Sequence, residues 1–470
     1  MKPQTSFQTA FTLGVVFLLG GCAVNHSADQ NLTLAATGNV ISATETARRY
    51  HIQPNWWEGY QDDQLNALIQ QAFERNIDLK KAAIRINKAL YQANILGADL
   101  VPDFNASLGA TNNKNLDTGN SNTSYSSQLG LSYELDLWHR LNARADAQLW
   151  EYQATAQDMA ATRLTLANNI TDAYFNIAYL NEAINLTEKT IRQYQEISRI
   201  MSAKYRYGKA DAASPRQAEQ SLLAAQSSLT QLATQKETAE EVLRNLLNLK
   251  PGESPAANPE NFRLHDVIGV DLNVPIATLA NRPDLRAAEY RLQSALRNVD
   301  AERRSYYPSV TIGASISTAS DTAGTLFHVP FLGSSLRINL PFLDWKTLKW
   351  TNKNAEADFQ AANLDFEQAV TTALNEVATN YQKYRNALQT YADSQQQYAL
   401  RQKNSRYYQI RYENGKNELR VWLEALNDEY SAARTLLNQR YESLQYENMI
   451  YKAMAGRYST GNSASNTTLE

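Results

Sequence analysis

The sequence predicts a mostly α-helical, internally duplicated chain with a transmembrane β part, and three observations predict it. The two halves of the chain repeat one another at a fixed offset. Each half carries two stretches in which apolar and polar residues alternate, the period of a β-strand. Each half then changes to alternating steps of 4 and 3 between apolar residues, the seam of a coiled coil.

The duplication organises everything else. Arg75–Ala110, RNIDLKKAAIRINKALYQANILGADLVPDFNASLGA, is echoed by Asn281–Ile316, NRPDLRAAEYRLQSALRNVDAERRSYYPSVTIGASI. Asp78 and Asp284 stand 206 residues apart, as do Pro102 and Pro308. Trp138 and Trp345 are 207 apart, and so are Gly208 and Gly415. Each copy therefore reads helix, strand, loop, strand, very long helix, turn, helix. The expected boundaries are 1–21 for a signal peptide, 22–60 for a linker, 61–260 for the first copy, 261–280 for a second linker, 281–457 for the second copy and 458–470 for a flexible tail.

The leader begins with Met1 and Lys2 and continues into AFTLGVVFLLGG, an apolar run too short to span a bilayer and suited to a signal-peptide core. It ends at Leu19-Gly20-Gly21-Cys22, which looks like a bacterial lipobox. Cys22 is the only cysteine of 470 residues, so no disulfide can form within the chain. Cleavage is expected to leave Cys22 as the mature N-terminus, carrying diacylglycerol and palmitate, enough acyl chains for stable anchoring. Ala23 follows, without the Asp that would retain the protein at the inner membrane, so the expected address is the outer membrane.

The strands come next in each copy. Phe104, Ala106, Leu108 and Ala110 share one face against Asn105, Ser107 and Thr111, while Leu129, Leu131, Tyr133, Leu135 and Leu137 oppose Gln128, Ser132, Glu134 and Asp136. The second copy repeats this with Val310, Ile312, Ala314 and Ile316, then Leu336, Ile338, Leu340 and Phe342. The loops between them, NNKNLDTGNSNTS and TASDTAGTLFHVPFLGSS, have the composition of exposed tips.

After Trp138 the seam runs through Leu166, Ile170, Ala173, Ile177, Leu180, Ile184, Thr187, Ile191, Tyr194, Ser198, Met201 and Tyr205. No proline or glycine interrupts Leu141–Tyr207, so one helix of ~100 Å is expected. The returning helix carries Leu222, Ala225, Leu229, Leu232, Ala239, Leu243 and Leu246. The second copy places Leu374, Val377, Tyr381, Tyr384, Leu388 and Tyr391 on the way out, and Leu419, Leu423, Leu426, Tyr430, Ala433 and Leu437 on the way back. Gly208 and Gly415 stop the outgoing helices. Ser214 then Pro215 reads as an N-cap followed by a first-turn proline.

Composition excludes several classes. Lys plus Arg number 45 against 48 Asp plus Glu, which argues against nucleic acid as a partner. The histidines, His26, His51, His139, His265 and His328, are scattered, with no metal-ligand spacing, and no nucleophile or phosphate-loop motif is present. No enzyme, metal or resident cofactor is expected. After the leader no apolar run is long enough for a membrane helix, so any crossing falls to the strands. Four strands cannot close a barrel, and an open edge is forbidden in lipid, so the strands must be pooled between subunits. Three chains would supply a 12-stranded β-barrel, continued by an α-helical barrel through the periplasm.

With WWEGYQDDQLNALIQQAFERNIDLKKAAIRI, NRPDLRAAEYRLQSA, YYPSVTIGAS, PRQAEQSL and YENGKNELRVWLEAL, the chain resembles the outer membrane factor (TolC-like) family of efflux channels, in particular its lipoprotein branch. The resemblance runs from about Trp56 to Tyr458. It implies a homotrimer that exports drugs, toxic compounds or metal ions, with a periplasmic adaptor, an inner-membrane pump and outer membrane lipid as partners. It also implies a closed tip: Glu424, nine past Gly415, as a pore-facing carboxylate, and Tyr412 as a hydrogen-bonding latch. Val421 stands where a second family acid is common. Arg411 and Glu418 are expected to pair nearby. Gly208, Lys209 and Ser214 in the first turn, with Gly415 and Lys416 in the second, resemble adaptor-docking turns. The competing expectation from the heptads alone is a lipid-anchored periplasmic scaffold without a pore.

Overall fold

The computed structural model describes residues 51–271, 276–325, 327–328 and 331–459. The signal peptide, Cys22 and residues 460–470 lie outside them. The first copy comprises β1 (His51–Gln53), a 3-10 turn at Trp56–Tyr60, α1 (Asp63–Arg75), α2 (Ile77–Ala98), β2 (Asp103–Lys114), β3 (Ser121–Leu135), α3 (Arg140–Arg206) and α4 (Ala213–Leu246). The second comprises α5 (Pro283–Arg304), β4 (Ser309–Ser320), β5 (Phe331–Asn339), α6 (Trp345–Glu413), α7 (Leu419–Ala453) and β6 (Arg457–Ser459).

Local chemistry sets the helix starts. Asp62 and Asn76 accept the first free N–H groups of α1 and α2. Pro283 opens α5, where its missing N–H costs nothing. The carboxylate of Asp136 accepts from the N–H groups of Leu141 (3.0 Å) and Asn142 (2.9 Å), which starts α3. That helix then runs 67 residues, and α6 runs 69, each about 100 Å at 1.5 Å per residue.

The four long strands form one antiparallel sheet in the order β2-β3-β4-β5, so the two copies meet at the β3–β4 ladder. Register carries the apolar faces into alignment: Ala106 pairs with Leu129, Leu129 with Ile316, and Ile316 with Leu332. No described residue covers that face, since Phe104 is 72% exposed and Leu332 83%. Neither β2 nor β5 has a second strand partner among the described residues.

The core lies well away from the sheet. Leu166–Ala183 of α3 pack with Trp56, Trp57, Tyr60, Leu65, Leu68, Leu243 and Leu444 in one cluster. Here α3 is buried beyond its seam, at Tyr174, Phe175 and Ala178 as well, because other segments cover it on several sides. A polar network fastens this region. The buried carboxylate of Glu447 accepts from the Tyr60 hydroxyl (2.8 Å) and from the N–H groups of Ile268 (3.1 Å) and Gly269 (2.6 Å). The Trp56 indole donates to Asn448 (2.9 Å), whose amide donates in turn to Asp172 (2.7 Å).

Several expected boundaries move. Trp56, Trp57 and Tyr60, assigned to a linker, are core residues, and Phe262 and Leu264 of the second linker are buried too. Tyr458, assigned to the tail, is buried, and Arg457–Ser459 pair with β1. The apolar bulk of these side chains outweighs the linker-like composition around them. Asn112–Lys114 and Ser121–Ser124, read as loop, extend the first hairpin, because an unpaired backbone gains by continuing the ladder. The β5 strand stops at Asn339, where Pro341 begins a 3-10 turn, so Leu340 and Phe342 fall beyond it. On α6 the buried stripe passes through Ala373 rather than Leu374, which is exposed; the smaller side chain permits closer helix approach.

Candidate functional site at the turn end of the helices

Both outgoing helices end in the same way. Gly208 (φ 66°) and Gly415 (φ 68°) adopt the left-handed conformation. The N–H of Lys209 donates to the carbonyl of Lys204 (2.8 Å), and that of Lys416 to the carbonyl of Arg411 (2.8 Å). These are paired Schellman stops, and a Cβ at either glycine would be strained by the backbone itself. The restarts differ. Ser214 does not cap α4: its N–H (2.9 Å) and its hydroxyl (2.7 Å) both donate to Asp211. The Asp211 carboxylate does that work because it also carries the charge favoured at a helix start, and these bonds hold its pKa below the usual range.

Behind the turns the two helical hairpins share a cluster that includes Ile191, Tyr194, Ile197, Met201, Ala218, Leu419, Trp422 and Leu426. Tyr412 spans the junction. Its ring stacks on Trp422 at 5.4 Å, and its hydroxyl donates to the sulfur of Met201 (3.2 Å) and accepts from Lys204 Nζ (3.1 Å). The ammonium of Lys204 also lies 4.7 Å from the centre of the Tyr412 ring. Tyr412 of the second copy is thus held by two residues of the first. Lower on the same junction Tyr194 donates to Asn427 (2.5 Å), and Thr187 bonds the Tyr430 hydroxyl (2.8 Å). Burial pushes the Tyr194 hydroxyl pKa up, so it stays a donor.

Glu424 lies on the exposed side of α7, its side chain 60% exposed, and accepts from Arg420 one turn earlier at 2.6 Å. Within one chain Arg411 and Glu418 are not paired with each other. Arg411 instead donates to the Tyr407 hydroxyl (2.9 Å) and to the carbonyl of Lys416 (3.3 Å), because the Schellman turn folds that carbonyl back over the helix end. Glu418 is exposed and lies 4.0 Å from Arg420. Gly208, Lys209, Gly415 and Lys416 are all exposed at the turns, and Ser214 is half-buried. One residue at this site carries no sequence signal that singles it out: Lys204 is one of two basic residues in the last turn of α3, and its partner is 208 positions away. Arg420 is legible from its i,i+4 spacing to Glu424.

Among the described residues there is no group of three or more His, Cys, Asp or Glu placed to hold a metal ion, and no helix is long and apolar enough to cross a membrane.

A sheet with an uncovered apolar face, set at one end of paired ~100 Å helices, defines the class of an outer membrane channel subunit. The outer membrane efflux protein family matches residues 68–249 and again 274–456, and the chain belongs to that family. The two matches begin 206 residues apart, the offset of the internal repeat. An uncharacterized protein of Haemophilus influenzae is 45% identical over 415 residues, covering 88% of this chain and 91% of that one. Toxin and drug export protein A of Aggregatibacter actinomycetemcomitans is 41% identical over 449 residues, covering 95% and 97%. Among solved structures, the open state of the Neisseria gonorrhoeae MtrE outer membrane channel superposes with a TM-score of 0.75 at 27% identity, covering 87% of this chain and 91% of that one. The family is one of efflux channels, not enzymes, and its place is the outer membrane.

Proposed function

We propose that three copies of this chain form the outer membrane duct of a tripartite efflux system, passing small molecules from the periplasm and an inner-membrane pump to the exterior. The carrying observation is the four-stranded sheet, apolar and uncovered on one face, polar on the other and open at both edges. Joining β5 of one copy to β2 of the next removes the edges, turns the apolar face to lipid and encloses a polar lumen of 12 strands. A pore-free periplasmic scaffold has no use for such a face.

Lipidation at Cys22 fits the distances. The 28 residues between Cys22 and His51 can reach at most about 95 Å. Trp56 packs in the same core as Tyr174, and Arg140–Tyr174 of α3 spans about 50 Å toward the sheet. An acylated N-terminus therefore reaches the bilayer with chain to spare.

At the far end, the Tyr412–Lys204–Met201 contacts latch the second hairpin to the first, and Glu424 faces the constriction with Arg420 beside it. The pair lowers the net charge of a carboxylate ring and so moderates its cation preference. The exposed turns at Gly208, Lys209, Ser214, Gly415 and Lys416 receive the adaptor. The relative named for toxin and drug export supports the same cargo class here.

Purified lipoprotein in planar bilayers tests the reading. Heat-modifiable trimers with stepwise conductance support it; a water-soluble monomer, once freed of its acyl chains, that conducts nothing refutes it.

A further inference from the structure

The junction between the two copies is a template for what the open sides of the chain meet. The offsets of the duplication hold in the ladders as well as in the sequence: Phe104 pairs with Leu131, and Val310 with Ile338, 206 and 207 residues on. At the internal junction Arg291 of α5 reaches across to α3. It donates to both carboxylate oxygens of Asp158 and lies 3.5 Å from Glu151. An arginine and two acids recur at the matching positions, Arg85 on α2 and Asp358 and Asp365 on α6. Their surroundings recur too: RINKAL answers RLQSAL around the arginines, and DFQAANLDF answers EYQATAQDM around the acids. This second set is exposed in the single chain and forms no ion pair among the described residues; Asp358 accepts from Asn354 (3.3 Å). The helices that carry it are open in the same sense. Whereas α5 lies between α3 and α6, α2 packs on α3 and leaves Ile84, Tyr91 and Ile95 61–66% exposed. Tyr290, the match of Ile84, packs on Trp150 across the internal junction, ring centres 5.5 Å apart.

We infer that neighbouring chains dock by repeating this internal junction, so that Asp358 and Asp365 of one chain clamp Arg85 of the next. The docking rests on the trimeric reading above and names the charges that select a second copy of this chain as the occupant. Two acids seven residues apart stand two helical turns apart, so a slip of one turn takes the arginine away from one of them and the clamp fixes relative height. The same operation sets the carbonyl of the next chain's Pro102 against the Trp345 indole, as Pro308 accepts from Trp138 (2.8 Å). It also sets Ile338 of β5 opposite Leu108 of the next β2, as Leu131 stands opposite Ala314. Not every contact is kept: the Arg144–Glu302 pair (2.9 Å) is matched by Thr351 and Leu96, which cannot form one. The arginine with its two acids survives in both junctions, although an exposed helix face has no need of it for folding.

The test uses the full lipidated protein in outer membranes, where Cys22 is acylated and only introduced thiols react. With a disulfide-forming oxidant, Leu108→Cys/Ile338→Cys should give covalent dimers and trimers on a denaturing gel. Leu108→Cys/Leu336→Cys, one step out of register on the same face, should give about tenfold less, since diagonal neighbours lie beyond easy bridging distance. Arg85→Glu should lower the trimer-to-monomer ratio in detergent by about tenfold, three exposed ion clusters being reversed at once. Adding Asp358→Lys and Asp365→Lys to it should restore the ratio, which a merely misfolded variant would not allow. Trimers that give no 108–338 bridge overturn the docking and leave the trimeric reading standing. A bridge with no effect of Arg85→Glu, or with no rescue by the reversed acids, overturns the clamp. Native protein that forms no trimers at all overturns the trimeric reading itself.

Discussion

The latch at Tyr412 makes the most demanding prediction, because its parts come from both copies. Opening the tip by swinging the second hairpin away from the first must break the bond from Lys204 (3.1 Å), the contact with Met201 (3.2 Å) and the ammonium–ring contact at 4.7 Å. Tyr412→Phe removes the hydroxyl and leaves the ring on Trp422. A hydrogen bond involving a charged donor is worth about 1.5–3 kcal/mol, and this half-buried one belongs at or below the lower end, so ~1 kcal/mol per chain is a fair figure. If three chains open together the closed state loses ~3 kcal/mol, or ~100-fold in the closed-to-open ratio. Lys204→Met removes both the bond and a cation–π contact worth ~0.5–1 kcal/mol, so its loss approaches ~5 kcal/mol per trimer. Single-channel recording in planar bilayers reads this directly as open probability. Both variants should be leakier than the parent, Lys204→Met more so, and the double variant should be little worse than Lys204→Met alone. Thermal melts separate gating from unfolding, since neither change enlarges a core cavity. Unchanged open probability in both variants, with native melting, would refute a latch at this junction.

Three further outcomes follow from other contacts. Glu424→Ala should raise conductance or weaken cation preference, whereas Arg420→Ala should strengthen that preference by uncovering the carboxylate; reversal potentials in a salt gradient decide, and identical shifts for the two variants would contradict opposed charges at one constriction. Burial pushes the Asp172 carboxyl up to about 6, against bonds from Asn448 and Asn168. A raised carboxyl favours the fold while it is protonated, so this contribution is complete below about pH 4 and lost as pH rises through about 6, up to ~3 kcal/mol by linkage. Thermal melting at pH 5 and pH 8 should therefore differ less in Asp172→Asn than in the parent, and an undiminished difference excludes Asp172 as the source. Leu129→Arg puts a cation on the lipid face of a central strand, where ~2–4 kcal/mol per copy is expected at mid-bilayer. Loss of heat-resistant trimers from the outer membrane fraction, with Gln128→Arg on the lumen face tolerated, is the expected pattern.

Periodicity made most of the fold legible, and its limits are physical. A period of two fixes which residues share a face, so the apolar rows of β2, β3 and β4 were readable before any pairing was known. It does not say where a ladder ends, which depends on an event such as Pro341 or on an opposing strand able to continue pairing from Asn112 to Lys114. A 3-4 spacing finds an apolar stripe, but Ala373 and Leu374 both satisfy it, and only the distance to the neighbouring helix chooses the smaller. Arg411 and Glu418 look paired in sequence, as opposite charges at a turn do, while within one chain the Schellman geometry offers Arg411 the Lys416 carbonyl. Glu447 was invisible for the opposite reason: an acid in an amphipathic helix reads as solvated, and nothing local announces that Tyr60, Ile268 and Gly269 converge on it.

The duplication turns these misses into an argument about which residues carry function. Where the copies agree, the demand is on the backbone: Gly208 and Gly415 adopt one conformation, and at each turn the glycine N–H and that of the following lysine donate to matching carbonyls of the outgoing helix. Where they differ at matched positions, the backbone demand is met either way, and the difference must be explained by what each copy faces. Asp211 closes the first restart, while the second leaves Glu418 exposed and brings Arg420 and Glu424 together one turn later. Within one chain Trp138 bonds across to the other copy and Trp345 does not. A single copy would give no means of telling a folding residue from a working one at these sites. Two copies of one fold do, and at the turn end they set the unshared charged pair, Arg420 and Glu424, on the second copy's returning helix α7.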